Sequence, residues 1–464
     1  MSMLQYTHIT LVHMQVIYLP DNHKLPQIEN LDKSNQFQYD LFYGASSKQG
    51  LMRRYSLPGF NYAFTMGHNS YDSVEIKGLM NVDATVYFNK FAVVRYYMRI
   101  DPYNLTRYLT TDHVIELASL GIKKDCSDLI DSCEYSDLAD FLSDNLQRTA
   151  KTLDEIKNSY RMFLTGGIET GIHDTNYVFI DVSQDLEDSE GLFKGMEANE
   201  KIDYINKNMM SELYGLLRLT PIEWVFGRTD KQNTSTGNIS LDTDDLVILN
   251  ENVCVSFWAY STKNNLVDWG SFTYSTESYY VSWPELYLIL ESVLVKRYSL
   301  MVTNEIFRLQ TSFMLDKSGV IKNDAVEISL KKNAVVRLNL ANVFLQLDNM
   351  KLADHKTLSE DISRKFGLEQ QMQTLETKMK YTDEALELFS NSRRLRQATN
   401  LNIVMAVLAS VSALGLLFNQ IRSPFIQRVF SISDSGTETV GLVIIAFAII
   451  CMLTCLLLIL RNKK

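Results

Sequence analysis

The chain has 464 residues, with 55 acidic against 45 basic side chains and a formal net charge of −10. That length holds a real core plus further elements, and 46% hydrophobic with 22% charged residues excludes a disordered chain. The acidic balance argues against a nucleic-acid polymer as partner.

The first 285 residues or so read as α/β or α+β. Alternating or aromatic, β-branched runs predict strands at 9–18, 36–43, 83–97, 177–182, 246–249 and 253–260. The run at 9–20 has no basic lead and alternates like a strand, so no secretory signal is expected. Helical periodicity predicts helices at 112–120 and 136–163. The second carries an acidic face of Asp137, Asp140, Asp144, Asp154 and Glu155, which reads as a solvated surface or, alternatively, as a divalent-cation site between subunits. Gly166-Gly167-Ile168-Glu169-Thr170-Gly171 is glycine-rich but lacks the Gly-Lys-Ser/Thr ending of a phosphate loop. It reads as a turn before the strand at 177, with a ligand-contacting loop as the alternative. Residues 228–245, rich in Asn, Thr, Ser, Gly and Asp, read as an exposed loop.

From residue 285 the chain reads as helical. One apolar-rich helix runs over 285–314, a second over 324–352, and Thr357-Leu358-Ser359-Glu360 has the spacing of a capping box that would open a third. Within that third stretch Leu368, Met372, Leu375, Met379, Thr382, Leu386 and Phe389 alternate steps of four and three, the pattern of parallel helices packing on copies of themselves. Continued at the same period, the face passes through Arg393, Arg396, Asn400, Ile403, Val407, Ser410, Leu414 and Leu417. Residues 403–418 form an apolar run of marginal length, and 440–460 a longer one. The pair predicts two membrane-spanning helices, with a loop of about twenty residues between them. Arg393, Arg394 and Arg396 before the first run, and Arg461, Lys463 and Lys464 after the second, place both termini in the cytosol of a multi-pass protein of the inner (cytoplasmic) membrane.

Catalytic motifs do not emerge. The seven histidines never fall at metal-ligand spacing, and no Gly-x-Ser-x-Gly elbow occurs. Cys126, Cys133 and Cys254 read as reduced structural thiols, and Trp224, Trp258, Trp269 and Trp283 as core residues. An enzyme is not expected.

The order of parts resembles the CorA family of divalent-cation channels. The likeness rests on the charged, leucine-rich stretch 375–401 flowing into 403–418. The family's Gly-Met-Asn tripeptide is replaced by Leu417-Phe418-Asn419, of which Asn419 alone matches, and Arg422-Ser423-Pro424-Phe425 replaces the acidic loop after it. The chain is also similar in layout to the divergent CorA-like membrane effectors of type III CRISPR defence. The resemblance implies a homo-oligomer, pentameric by family analogy, in a lipid bilayer: a ligand-sensing cytosolic domain (1–284), a helical connector (285–356), a stalk (357–400), spans at 401–419 and 440–460 around an external loop (420–439), and a basic tail (461–464). It implies an ion channel lined by Arg393, Arg396, Asn400, Ile403, Val407, Ser410, Leu414 and Asn419 and opened by an adenine-nucleotide second messenger. Alternatives are a Mg2+ transporter and a non-conducting membrane tether.

Overall fold

The computed structural model describes residues 4–6, 9–20, 52–66, 74–100, 108–120, 132–134, 152–183, 187–188, 191–225, 237–240, 245–258, 284–314, 325–348 and 352–421, with isolated positions elsewhere. The chain divides into two compact units, residues 1–309 with 334–376, and residues 310–333 with 377–464.

The first unit is built on an eight-stranded sheet. In chain order the strands and helices of its first half are β1 (Leu4–Tyr6), β2 (Ile9–Tyr18), β3 (Met52–Met66), β4 (Val74–Tyr87), β5 (Phe91–Ile100), β6 (Leu109–Thr110), α1 (Thr111–Ser119), β7 (Ser132–Glu134) and α2 (Leu153–Thr165). There follow β8 (Thr175–Ser183), β9 (Glu187–Asp188), α3 (Ala198–Asn208), α4 (Met210–Arg218), α5 (Ile222–Val225), β10 (Asp245–Leu249) and β11 (Val253–Trp258). The large sheet has the order β10-β11-β8-β2-β5-β4-β3-β7, and a small one the order β6-β1-β9. All pairings in the large sheet are antiparallel except β11 with β8.

β2 sits at the centre, paired over its length with β5 and along most of it with β8. Nine of its ten residues are buried, which requires cover on both faces. Alternation divides them. Ile9, Leu11 and Ile17 join a core with Ile156, Tyr160 and Leu164 of α2 and with Ile115, Leu213 and Leu216 of α1 and α4. The opposite face is covered by α6 (Pro284–Met314), whose Tyr287 meets Phe179 at 5.7 Å and whose Tyr298 meets Phe91 at 6.1 Å, both edge-on. The result is a helix–sheet–helix sandwich.

Three helices complete the described chain: α7 (Ala325–Leu347), α8 (Ala353–Lys365) and α9 (Leu368–Ile421). α9 has 54 residues, about 80 Å of helix. It begins after Gly367, whose φ of +62° breaks it from α8. The expected capping box at Thr357 is not a helix start. α8 begins four residues earlier, and the Thr357 hydroxyl donates to the Ala353 carbonyl at 3.1 Å inside it.

The expectation of two C-terminal transmembrane helices is corrected. No helix among the described residues is long and apolar enough to cross a membrane. The apolar part of α9 offers sixteen residues, about 24 Å of rise against the roughly 30 Å of a bilayer core. Arg393, Arg394, Arg396, Asn400 and Asn402 precede it on the same helix. Most of 440–460 lies outside the described residues. The expected multi-pass inner-membrane location is therefore not supported. The strand expected at 36–43, and Asp137, Asp140 and Asp144 of the acidic face, also lie outside the described residues.

Candidate functional site

On the α6 face the sheet buries a cluster of opposite charges. Arg95 of β5 is fully buried and bonds Asp83 of β4 through Nε and Glu291 of α6 through Nη1. Tyr87 donates to Glu291 at 2.7 Å, Tyr97 donates to Asp83 at 3.3 Å, and Tyr97 meets Tyr287 hydroxyl to hydroxyl at 3.2 Å. Asp83 and Arg95 are cross-strand partners, so the register places them together and α6 adds the third charge. Burial alone would push the guanidinium pKa down, but the Asp83 and Glu291 carboxylates outweigh it and hold Arg95 above its ordinary value. Each charge meets an opposite charge, and each carboxylate also accepts from a tyrosine hydroxyl, the condition under which buried ions are tolerated. The cluster fixes α6 on the sheet.

The α2 face carries a second polar group. His13 and Gln15, alternate residues of β2, point the same way. Tyr96 donates to Gln15 at 3.0 Å, and Gln15 donates to Asp174 at 2.8 Å. Lys157 of α2 donates to Asn176 at 3.2 Å, with its ammonium 6.0 Å from the centre of the Tyr96 ring. Burial lowers the Lys157 pKa to about 8, although Asp154 and Asp174 pull the other way. Burial also holds His13 well below its usual range, helped by the Lys157 charge. Both ring nitrogens of His13 are buried with no hydrogen-bond partner among the described residues.

This group backs onto a cleft of about 220 Å3 at the C-terminal end of α2. The glycine-rich segment forms one wall. Gly166 caps α2 in the left-handed conformation (φ +63°), the role for which a residue without Cβ suits a helix end. Inside the cleft Arg161 stands 3.7 Å from Asp174, whose carboxyl burial pushes above the ordinary range. The segment thus turns the chain toward β8 and also lines a cavity. The expected core role of Trp224 is not found: its side chain is exposed.

The residues singled out for a pore all lie on α9. Asn400, Ile403 and Val407 form a half-buried stripe with Val411, whereas Arg396 and Ser410 are exposed. Arg393, Leu414 and Asn419 are placed only as helix positions. Upstream, the 368–389 face is covered within the single chain: Leu368, Leu375, Met379 and Leu386 are buried. In the second unit Asn333 donates to Asp383 at 3.0 Å beside this face. The exposed side of the same helix carries Tyr381, Leu388 and Leu395 at seven-residue spacing, a row that Leu416 continues; Leu401, Val404, Met405 and Leu408 are exposed elsewhere around the helix. Sequence reasoning missed this second face, although its signal, an apolar residue every seven positions, was present.

Among the described residues no three His, Cys, Asp or Glu side chains gather to hold a metal ion such as Mg2+. No family model matches the chain. No curated protein matches it, and no solved structure does.

Proposed function

We propose that this chain is a ligand-responsive assembly protein rather than an enzyme, with the α/β unit as its binding part and α9 as the element through which copies join. One observation carries the reading: Leu388 and Leu395 are 72% and 70% exposed on a helix whose opposite face is already buried as far as Leu386. Tyr381, Leu388 and Leu395 repeat every seven residues, the period that keeps one face of a helix turned toward a partner helix. Burying an exposed leucine stabilises by about 1.5–3 kcal/mol, so two per copy supply several kcal/mol to an interface.

The likeness to CorA-like proteins supports only the order of parts, a mixed α/β unit followed by a long helix. An ion conduit and a membrane tether both needed the spans corrected above and are not part of this reading. Five copies is the number the likeness implies.

Sedimentation velocity of the full chain beside the double variant Leu388→Glu/Leu395→Glu tests the proposal. The wild type should sediment as a discrete oligomer and the variant as a monomer with an unchanged circular dichroism spectrum. A monomeric wild type, or a variant of wild-type mass, overturns it. Adding an adenine nucleotide to the same run tests ligand response: a shifted oligomer distribution supports it, and an unchanged one removes the nucleotide from the reading.

A further inference from the structure

A further cavity of the first unit lies among its C-terminal helices, with none of the residues of the two polar clusters in its lining. It has a volume of about 610 Å3, within the range of small-molecule sites. Its floor is the ammonium of Lys296, on α6, a residue only 2% exposed. Two described groups meet this ammonium: the Asp348 carboxylate, in close contact, and the Ser359 hydroxyl at 3.5 Å. Phe344, Leu368 and Met372 supply apolar wall, while Lys356 and Arg364 stand at the rim.

The asymmetry of the ion pair is informative. A lysine this deep requires an anion, because an uncompensated buried ammonium is costly. The anion present comes from a side chain that is 55% exposed, one residue beyond the end of α7. Asp348 released from Lys296 would return to water at little cost, leaving a buried cation at the end of a half-apolar cavity. Ser359 is buried beside it as a second donor. At Lys296 one anion replaces another, and across the lining Lys296, Lys356 and Arg364 balance Asp348, Glu360 and Glu369, with Arg364 also pairing Asp361 at 2.9 Å.

We infer that this cavity binds a small amphiphilic anion, a carboxylate, sulfonate or phosphate carried on an apolar body, which displaces Asp348 from Lys296. The inference names a ligand class for the binding part proposed above, and so rests on that reading. Self-assembly through α9 is measured separately, so either can fail alone.

The test is calorimetric titration of the full chain with 1-anilinonaphthalene-8-sulfonate, octanoate and inorganic phosphate. The two amphiphiles distinguish an aromatic from an aliphatic body, and phosphate reports the anion without a body. One amphiphile should bind at one site per chain and phosphate at least tenfold more weakly. Asp348→Asn removes the competing carboxylate and should tighten amphiphile binding about tenfold. Lys296→Met fills the same space without charge and should weaken it by at least as much. Equal affinity in all three proteins, several weak sites per chain, or phosphate binding as tight as the amphiphiles overturns the inference. A folded Lys296→Met protein that binds like the wild type does so as well.

Discussion

Lys157 makes the stability of the first unit depend on alkaline pH in a direction opposite to most lysines. Its ammonium is taken out of water by α2 and the sheet, and its pKa falls from 10.5 to about 8. At about 1.4 kcal/mol per decade, holding it charged in the fold at neutral pH costs about 3 kcal/mol. The sign follows from linkage. Between pH 8 and 10.5 the unfolded chain keeps a proton that the folded one has released, so stability rises with pH across that window and is lost again as pH falls through 8. Buried tyrosines act the other way above pH 10, because Tyr96 and Tyr177 have raised pKa values and resist ionising in the fold. The useful interval is therefore pH 7 to 9.5, over which Lys157 should add about 2 kcal/mol. Urea unfolding of the wild type and of Lys157→Met at four pH values in that interval reads this difference. The variant should be the more stable at pH 7, and the gap should narrow by about 2 kcal/mol by pH 9.5. Parallel curves would show that the ammonium reaches water and would refute the argument.

The remaining predictions concern the sheet interior. His13 has a depressed folded pKa, so its contribution is present above pH 6.5 and lost as pH falls. His13→Phe should remove about 1.4 kcal/mol of acid destabilisation per pH unit below that point, seen as a shallower acid limb in thermal melts. Glu291→Gln leaves Arg95 with one carboxylate and should cost about 3–5 kcal/mol in urea unfolding; a loss under about 1 kcal/mol would show that the cluster does not hold α6 on the sheet.

How much of this was legible in the sequence depended on whether the signal was local. The strand 9–18 was fully legible, since ten residues with no helical period and a β-branched, aromatic content leave little alternative. The single strand expected over 83–97 is two, β4 and β5, joined at Phe88-Asn89-Lys90. Phe88 and Asn89 take φ of +57° and +53° with no glycine to announce the turn, and only Asn89 is a residue for which that is common. β3 was not among the predicted strands, and it contains Pro58-Gly59, a pair that ordinarily marks a turn. The sheet absorbs it as a register shift between Leu57 and Phe60, and the Gly59 position leaves no room for a Cβ against the Met80 carbonyl, 2.6 Å away. The cluster around Arg95 was not legible, because Glu291 lies 196 residues away in sequence. Nor was the Lys296 cavity, whose floor and walls come from four different helices.

The same limit explains why the proposed assembly surface is placed on the other side of α9. A heptad pattern states which face of a helix is apolar, not whose atoms cover it. The 368–389 face reads as a contact between copies, yet Leu375 and Leu386 are buried within one chain. Charges placed there would disrupt the chain's own packing and leave assembly untested. Tyr381 follows Met379 by two residues, about 200° around the helix, so the Tyr381, Leu388 and Leu395 row lies opposite the Met379 and Leu386 row. A helix that is apolar on two opposed faces has two surfaces to satisfy. With the first used internally, the second is where an external partner gains most from leaving water, and an identical helix supplies the same seven-residue spacing in return.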